Sequence, residues 1–346
     1  MSATRTSETA PSDDQPSDRP ASASQPPAKG FKGWIRAHQG ALKKAAIALI
    51  MTVTAVLIIN LATQVDWPQV LEAARKIPPA MIGLGLLMAF AGYAVYASFD
   101  LLSKRYAGHD LPDWQVLGVT AISYSLNQNL GVLLGGLAVR FRLYAKLGLG
   151  NGTISRVFLF STITNWLAYC WLGGLLFMGG FVPTPENWGL GQGLLRLIGA
   201  AMLAVALLYL GLCAFSRKRD IQVRGHELRL PPFRVALFQA GLGAVSWCLM
   251  AGIIFLFLPD EISYFTVLSI LLCASIAAVA THIPGGLGTT EAIFVAALSS
   301  QVPVPTVLGA VLMYRACYAL TPLAIGVVSY LIVEAKLAGR SAEPAD

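Results

Sequence analysis

An all-α, polytopic helical membrane protein is the fold class this chain predicts, on three observations. Hydrophobic residues make up 55% of its 346 and charged residues only 12%. Several apolar runs reach the ~20 residues that a helix needs to cross a bilayer core. The runs are continuous and rich in Leu, Ala and Gly, whereas the strands of a barrel alternate over ~10-residue segments. The expected architecture is about six full spans plus two broken or re-entrant helical regions.

Residues 1–30, MSATRTSETAPSDDQPSDRPASASQPPAKG, carry almost no large apolar side chains. Such a segment cannot bury enough surface to offset the entropy of ordering, so a disordered cytoplasmic tail is expected. It lacks the short basic start followed directly by an apolar stretch that marks a cleaved signal peptide. A multi-spanning domain over 31–340 follows, with a short tail at 341–346. The first span, near 41–62, has an apolar run that begins after Lys43 and Lys44. The stretch DWPQVLEAARKIPP then reads as a short interfacial helix, with Pro68 near its start and Pro78 and Pro79 stopping it, or as an ordinary solvated connector. Further spans are expected near 79–102, 157–181, 194–215, 235–258 and 307–333, with irregular apolar regions at 114–139 and 264–300.

Charge placement orients these elements. With the N-terminus inside and each irregular region entering and leaving on one side, Lys and Arg fall in the cytoplasmic set with four exceptions. Arg75 and Lys76 lie outside, and Arg196 and Arg315 lie within or at the edge of spans. This bias obeys the positive-inside rule and puts both termini in the cytoplasm. A full crossing by 114–139 would throw Arg140, Arg142 and Lys146 outside, so that region is expected to dip in and return. It would do so from the cytoplasm, and 264–300 from the opposite face, as in an inverted-repeat transporter. Beyond the glycine pairs Gly135–Gly136 and Gly285–Gly286, the halves show no residue-by-residue repeat.

The segment THIPGGLGTTEAIFVAAL, residues 281–298, breaks its apolar surroundings with a proline, glycines and a carboxylate. Backbone freed from a helix in hydrocarbon persists only where protein or a wet cavity satisfies it, and such breaks mark transporter binding sites. Pro284 has no N–H to lose, and Gly285, Gly286 and Gly288 permit tight or left-handed backbone that presents amides at a helix start near Thr289. A helix N-terminus suits a phosphate or carboxylate; a glycine hinge for close helix packing is the alternative. The polar neighbours His282, Thr289, Thr290 and Glu291 favour the site. Glu291 can pair with Arg315, bind a cationic head group, take up a proton or simply sit as a first-turn acid on the helix dipole. Arg315, set in VLMYRACYAL, requires a protein or phosphate partner. Arg140 follows the Gly135–Gly136 break and is a bidentate phosphate donor or a topology anchor beside Arg142 and Lys146. Asn127, Gln128 and Asn129 are expected to line a cavity or satisfy broken backbone.

The segments HIPGGLGTTEAIFVAAL, NQNLGVLLGGLAVRFRLY and MYRACYALTPLAIG, with the multi-helix layout, resemble the membrane region of bacterial lysylphosphatidylglycerol synthases, also called multiple peptide resistance factors. The likeness covers roughly residues 40–336 and is strongest to standalone relatives made of this region alone. It implies a bacterial cytoplasmic membrane and movement of an aminoacylated lipid between leaflets, and it marks Asp100, Arg140 and Glu291 as functional. The chain ends shortly after its last span, at Asp346, which leaves no room for the soluble aminoacyl-transferase domain. No lysyl-transfer enzyme is therefore expected, and the identity of the lipid does not carry over.

Other chemistries find no support. Cys170, Cys213, Cys248, Cys273 and Cys317 fall in expected spans without CxxC spacing, which argues against metal and disulfide roles. No Walker A loop, dinucleotide fingerprint or HExxH occurs, and no cofactor is expected. The basic stretch RKRDIQVRGHELRLPPFR lies beside spans and suits anionic lipid rather than nucleic acid. An intramembrane lipid enzyme would need a nucleophile with a matched base, which is not evident. The expected function is binding and translocation of a phospholipid or other anionic amphiphile. A secondary transporter of a small solute, or a noncatalytic membrane subunit of a lipid-modifying or glycosyl-transferring system, stays open. A second copy of the chain or an enzyme would then be the protein partner.

Overall fold

The computed structural model describes residues 67–183, 191–216, 220–223, 226–281 and 283–341. Contacts divide the chain into Met1–Val53 and Thr54–Asp346, and every described residue belongs to the second unit. The expected N-terminal tail, the first span near 41–62 and His282 lie outside the described residues.

The connector DWPQVLEAARKIPP is helical as α1, Trp67–Arg75. α2, Pro79–Ala107, starts on prolines, whose missing N–H is no loss in a first turn. It stops at Gly108, left-handed at φ 69°, whose amide bonds the Lys104 carbonyl. α3 is Asp113–Gly131, followed by π-helical Val132–Ala138 and α4, Val139–Lys146. α5 is Asn151–Met178 and α6 Gln192–Phe215. α7, Phe233–Leu256, follows Pro232. α8, Tyr264–Thr281, leads through the 3₁₀ turn Pro284–Gly286 to α9, Thr289–Leu298. α10, Val304–Arg315, runs through a π-helical turn, Ala316–Leu320, into α11, Thr321–Ser341.

Five described helical runs are long and apolar enough to cross a membrane: Pro79–Ala107, Gln192–Phe215, Phe233–Leu256, Tyr264–Thr281 and Val304–Ala335. Tyr264–Thr281 is therefore a regular spanning-length helix where an irregular region was expected. α5, which starts before the expected span 157–181 and ends at Met178, has 28 residues but is not among the five. Ser161, Thr162, Thr164 and Asn165 lower its hydropathy, and Ser161 and Thr164 are fully buried. Within the basic stretch before α7, Asp220–Val223 pairs antiparallel with His226–Arg229. This small hairpin is the strand structure among the described residues, and the five long apolar runs are helices.

Both irregular regions are helical hairpins. In the first, Gly131 adopts φ 81°, ψ 171°, a region essentially restricted to glycine, and the chain doubles back there. The returning π-helical segment lies so close to α3 that a β-carbon on Gly135 would stand 2.3 Å from the Leu126 carbonyl. In the second, α9 returns alongside α8. The core is shared by α2, α5, α7, α8, α9 and α10 and includes Phe294, Leu272, Ile253, Ile254, Val311 and Tyr318. α5 and α6 meet at Gly174 and Gly199, the close small-residue packing that replaces hydrophobic drive between membrane helices. Leu87, Leu197, Leu208, Phe238 and Leu331 remain exposed, an outer surface suited to lipid.

Candidate functional site

The tips of the two hairpins meet. A β-carbon on Gly285, left-handed at φ 62°, would lie 2.9 Å from the Gln128 carbonyl oxygen and 3.1 Å from that of Asn129. Only glycine fits this approach, because the site combines positive φ with backbone contact. Asn129 ties the same place to a third element: its Nδ2 donates to the Ser125 carbonyl at 2.9 Å and to the Ala319 carbonyl, in the π-helical turn, at 3.1 Å.

Arg315 closes the second hairpin. Its guanidinium forms a bidentate ion pair with Glu291, through Nε and Oε1 and through Nη2 and Oε2, the latter at 3.1 Å. Nη1 donates to the Gly285 carbonyl at 3.0 Å and Nη2 to that of Gly286 at 2.7 Å. The glycines thus turn carbonyls, rather than amides, toward the arginine. The Gly286 amide is itself taken by the Ile283 carbonyl at 3.0 Å. Pro284 opens the 3₁₀ turn, and Gly288, at φ 77°, precedes α9, with its carbonyl accepting from the Ala292 amide. Glu291 stands in the first turn of α9, where the helix dipole also favours it.

Asp100 and Arg140 form the second buried pair, with side chains 0% and 2% exposed and Nε 3.4 Å from Oδ2. Asp100 is held chiefly by hydroxyls. Thr120 Oγ1 and Tyr144 Oη donate to Oδ2 at 2.8 and 2.9 Å, and Ser161 Oγ donates to Oδ1 at 2.5 Å. Arg140 Nε has no hydrogen-bond partner. Its guanidinium carbon stands 5.6 Å from the centre of the Phe158 ring, within cation–π range. The two arginines therefore differ: Arg315 spends its donors on Glu291 and two carbonyls, whereas Arg140 is neutralised by a carboxylate that hydroxyls already satisfy.

Arg140 faces a cavity of about 170 Å³ that Asn127, Gln128 and Gly136 of the first hairpin also line. Its other walls come from Tyr96 on α2, Asn165 and Trp166 on α5, and Trp247 on α7. A chain of tyrosines connects this cavity to the Arg315 region. Tyr96 stacks on Tyr124 at 3.5 Å between ring centres, Tyr124 and Tyr318 hydroxyls lie 3.1 Å apart, and Tyr318 stacks on Tyr314, next to Arg315.

The expected residues thus fall into two linked groups, Asp100, Asn127, Gly136 and Arg140 in one, and Pro284, Gly285, Gly286, Gly288, Glu291 and Arg315 in the other. Asn129 sits where they meet, and Gly135 permits the first hairpin to close. Sequence reasoning missed Thr120, Tyr144 and Ser161 around Asp100, and Tyr96, Tyr124 and Trp247 around the cavity. The cluster of polar residues from Ser161 to Asn165 in an apolar helix was the available signal for α5; the aromatics carried none, since a tyrosine or tryptophan in a span is ordinary core or interface.

Residues 45–326 match the lysylphosphatidylglycerol synthase transmembrane region. The inner membrane protein YbhN of Escherichia coli K12 is 37% identical over 295 residues, covering 85% of this chain and 93% of that protein. The uncharacterized protein slr0712 of a Synechocystis species is 29% identical over 260 residues, covering 74% of this chain and 80% of its own length. With a match that extends from before the described helices into α11, the chain belongs to the lysylphosphatidylglycerol synthase transmembrane region family.

Proposed function

We propose that the protein binds a phospholipid or related anionic amphiphile and moves it between leaflets of the bacterial inner membrane, without performing chemistry on it. The observation that carries this reading is the contact of two broken hairpins beside a cavity lined by the buried Arg140 and by Asn127, Gln128 and Asn165. Broken helices that meet inside a helical membrane protein supply the fixed site around which alternating access operates. A buried guanidinium beside a cavity is a donor that such a site can offer to a phosphodiester. The inner-membrane label of the Escherichia coli relative supports the location, and the basic cytoplasmic set supports both termini facing the cytoplasm.

Leaflet exchange of labelled phospholipids, with and without a lysylated head group, tests the reading in liposomes holding purified wild type, Glu291→Gln or Arg140→Lys. The expected result is exchange above that of empty liposomes and its reduction in both variants. Folded wild-type protein that exchanges no lipid overturns the reading and shifts the weight to a solute transporter or a membrane subunit of an enzyme system.

A further inference from the structure

A second cavity, of about 570 Å³, lies at the end of α2 away from Lys104 and Arg105 and shares no residue with the one that Arg140 lines. It is an open groove between α1, the start of α2, the end of α7 with its following loop, and the start of α10. Its polar residues gather at one end. Lys76 stands in the turn between α1 and α2, Asp260 in the loop after α7, and Thr306 in the first turn of α10. Below them the walls are apolar, with Met81, Met88, Phe255 and Leu256. Tyr264 also lines the groove, but its hydroxyl donates to the Cys248 carbonyl at 2.8 Å.

The depth of the groove identifies what can enter it. Met88 lies nine residues into α2, roughly 13 Å below Pro79 at ~1.5 Å per residue. Half of a bilayer hydrocarbon core is ~15 Å. The groove therefore runs from the interface, where the charges sit, toward the middle of one leaflet's hydrocarbon. A peptide segment that entered it would carry unpaired amides into that region, which is costly; an acyl chain carries none. Met81, at the mouth, is 41% exposed.

The two charges specify the head. Lys76 pairs with Glu72 at 2.9 Å, but the side chains are 74% and 67% exposed, and such a surface pair holds its partners weakly. Asp260 is exposed and has no ion-pair or hydrogen-bond partner among the described residues. A cation and a free carboxylate at the mouth of one apolar groove complement a head that bears both signs. We infer that this groove holds an acyl chain of a zwitterionic phospholipid, with its phosphate at Lys76 and its ammonium at Asp260. The site is separate from Arg140, so it goes beyond the translocation reading and does not depend on it.

The test uses the purified full chain in liposomes with phosphatidylethanolamine that carries a photoreactive diazirine in one acyl chain, and mass spectrometry to map the cross-links. Labelling of Met88 and Phe255 is expected to exceed that of Leu197 and Leu208, which are 67% and 64% exposed on α6. Unlabelled phosphatidylethanolamine should displace the probe about fivefold better than phosphatidylglycerol, the difference that one exposed ion pair provides. Asp260→Asn should abolish that preference, and Lys76→Gln should weaken both lipids about fivefold. Glu72→Gln breaks the same ion pair but keeps the ammonium, so it should not weaken either lipid. Met81→Trp narrows the mouth and should reduce labelling at Met88 while leaving that of α6 unchanged; the head-group variants, all at exposed positions, decide the matter if it fails to fold. Several outcomes overturn the inference: equal labelling of groove and α6, as for ordinary surrounding lipid; equal displacement by both lipids; phosphoethanolamine displacing the probe as well as the whole lipid does; or no labelling in the groove, as where the expected first span near 41–62 fills it. Leaflet exchange measured in parallel separates the two claims. Exchange without groove labelling removes this site and leaves translocation standing, whereas selective groove labelling without exchange does the reverse.

Discussion

Arg140 Nε stands 3.4 Å from Asp100 Oδ2 and donates no hydrogen bond to it. Thr120, Tyr144 and Ser161 already supply the carboxylate, so the pair is joined by charge while the carboxylate is held by neutral donors. Both side chains are buried, which makes removal of one partner costly.

Asp100→Asn strands a buried guanidinium and removes the charge that three hydroxyls address. The expected loss is about 3–5 kcal/mol, read as a lower Tm in detergent. Adding Arg140→Gln restores part of that loss because the uncompensated charge disappears. A Tm for Asp100→Asn equal to wild type would contradict the pairing.

Arg315→Lys keeps the charge opposite Glu291 but cannot reproduce a bidentate pair together with bonds to the Gly285 and Gly286 carbonyls. A loss of about 1.5–3 kcal/mol is expected, concentrated at the second hairpin. Hydrogen exchange should accelerate about tenfold or more for amides of 283–292 and stay unchanged across α5 and α6. Uniform acceleration would mean that Arg315 supports the whole fold rather than this tip.

The first hairpin can be graded by adding single methyl groups. Gly135→Ala places a β-carbon 2.3 Å from backbone and should prevent accumulation of folded protein. Gly136→Ala meets the Asn127 side chain at 3.0 Å, which can shift, so a milder loss is expected. Gly118→Ala, with nothing within 4 Å, should be neutral or gain up to about 1 kcal/mol from helix propensity. Size-exclusion yield and Tm of the three variants check the order.

His109 lies between α2 and α3, 7% exposed, with neither ring nitrogen hydrogen-bonded. Burial, then the nearby Lys104 charge, lowers its pKa below the ordinary 6.5, against smaller opposing effects of Asp100 and Asp110. The unfolded chain therefore binds a proton that the folded state resists, so this stability is complete above about pH 6.5 and falls with pH until the folded pKa is reached. Tm measured from about pH 7 to pH 5 should decline, and His109→Phe should flatten that part of the slope. An identical slope in His109→Phe would exclude His109 as its source.

Much of the helix layout was legible because the physical cause lies in short segments. Pro78 and Pro79 set the start of α2, and Pro303 and Pro305 flank the start of α10. The charge of Arg140, Arg142 and Lys146 argued for a region that dips and returns, and Gly131 and Gly135 supply the reversal. The regular length of α8 was less visible, because the PGGLG break drew its apolar neighbours into one irregular region. Glu291 and Arg315 were each recognisable as polar residues needing partners, but two of Arg315's partners are the carbonyls of Gly285 and Gly286, and carbonyls look alike at every position of a sequence.

The sequence by itself determined that this is a polytopic helical membrane protein, where its helices break and which charged residues need company, because hydropathy, glycine, proline and charge act over a few residues. Tertiary structure decided which partner each received. Gly285 meets Gln128 and Asn129 across more than half the described chain, and Trp247 on α7 reaches a cavity made largely by α3 and α5. Such pairings depend on how whole helices pack in three dimensions, where neighbours along the chain carry no information about neighbours across it.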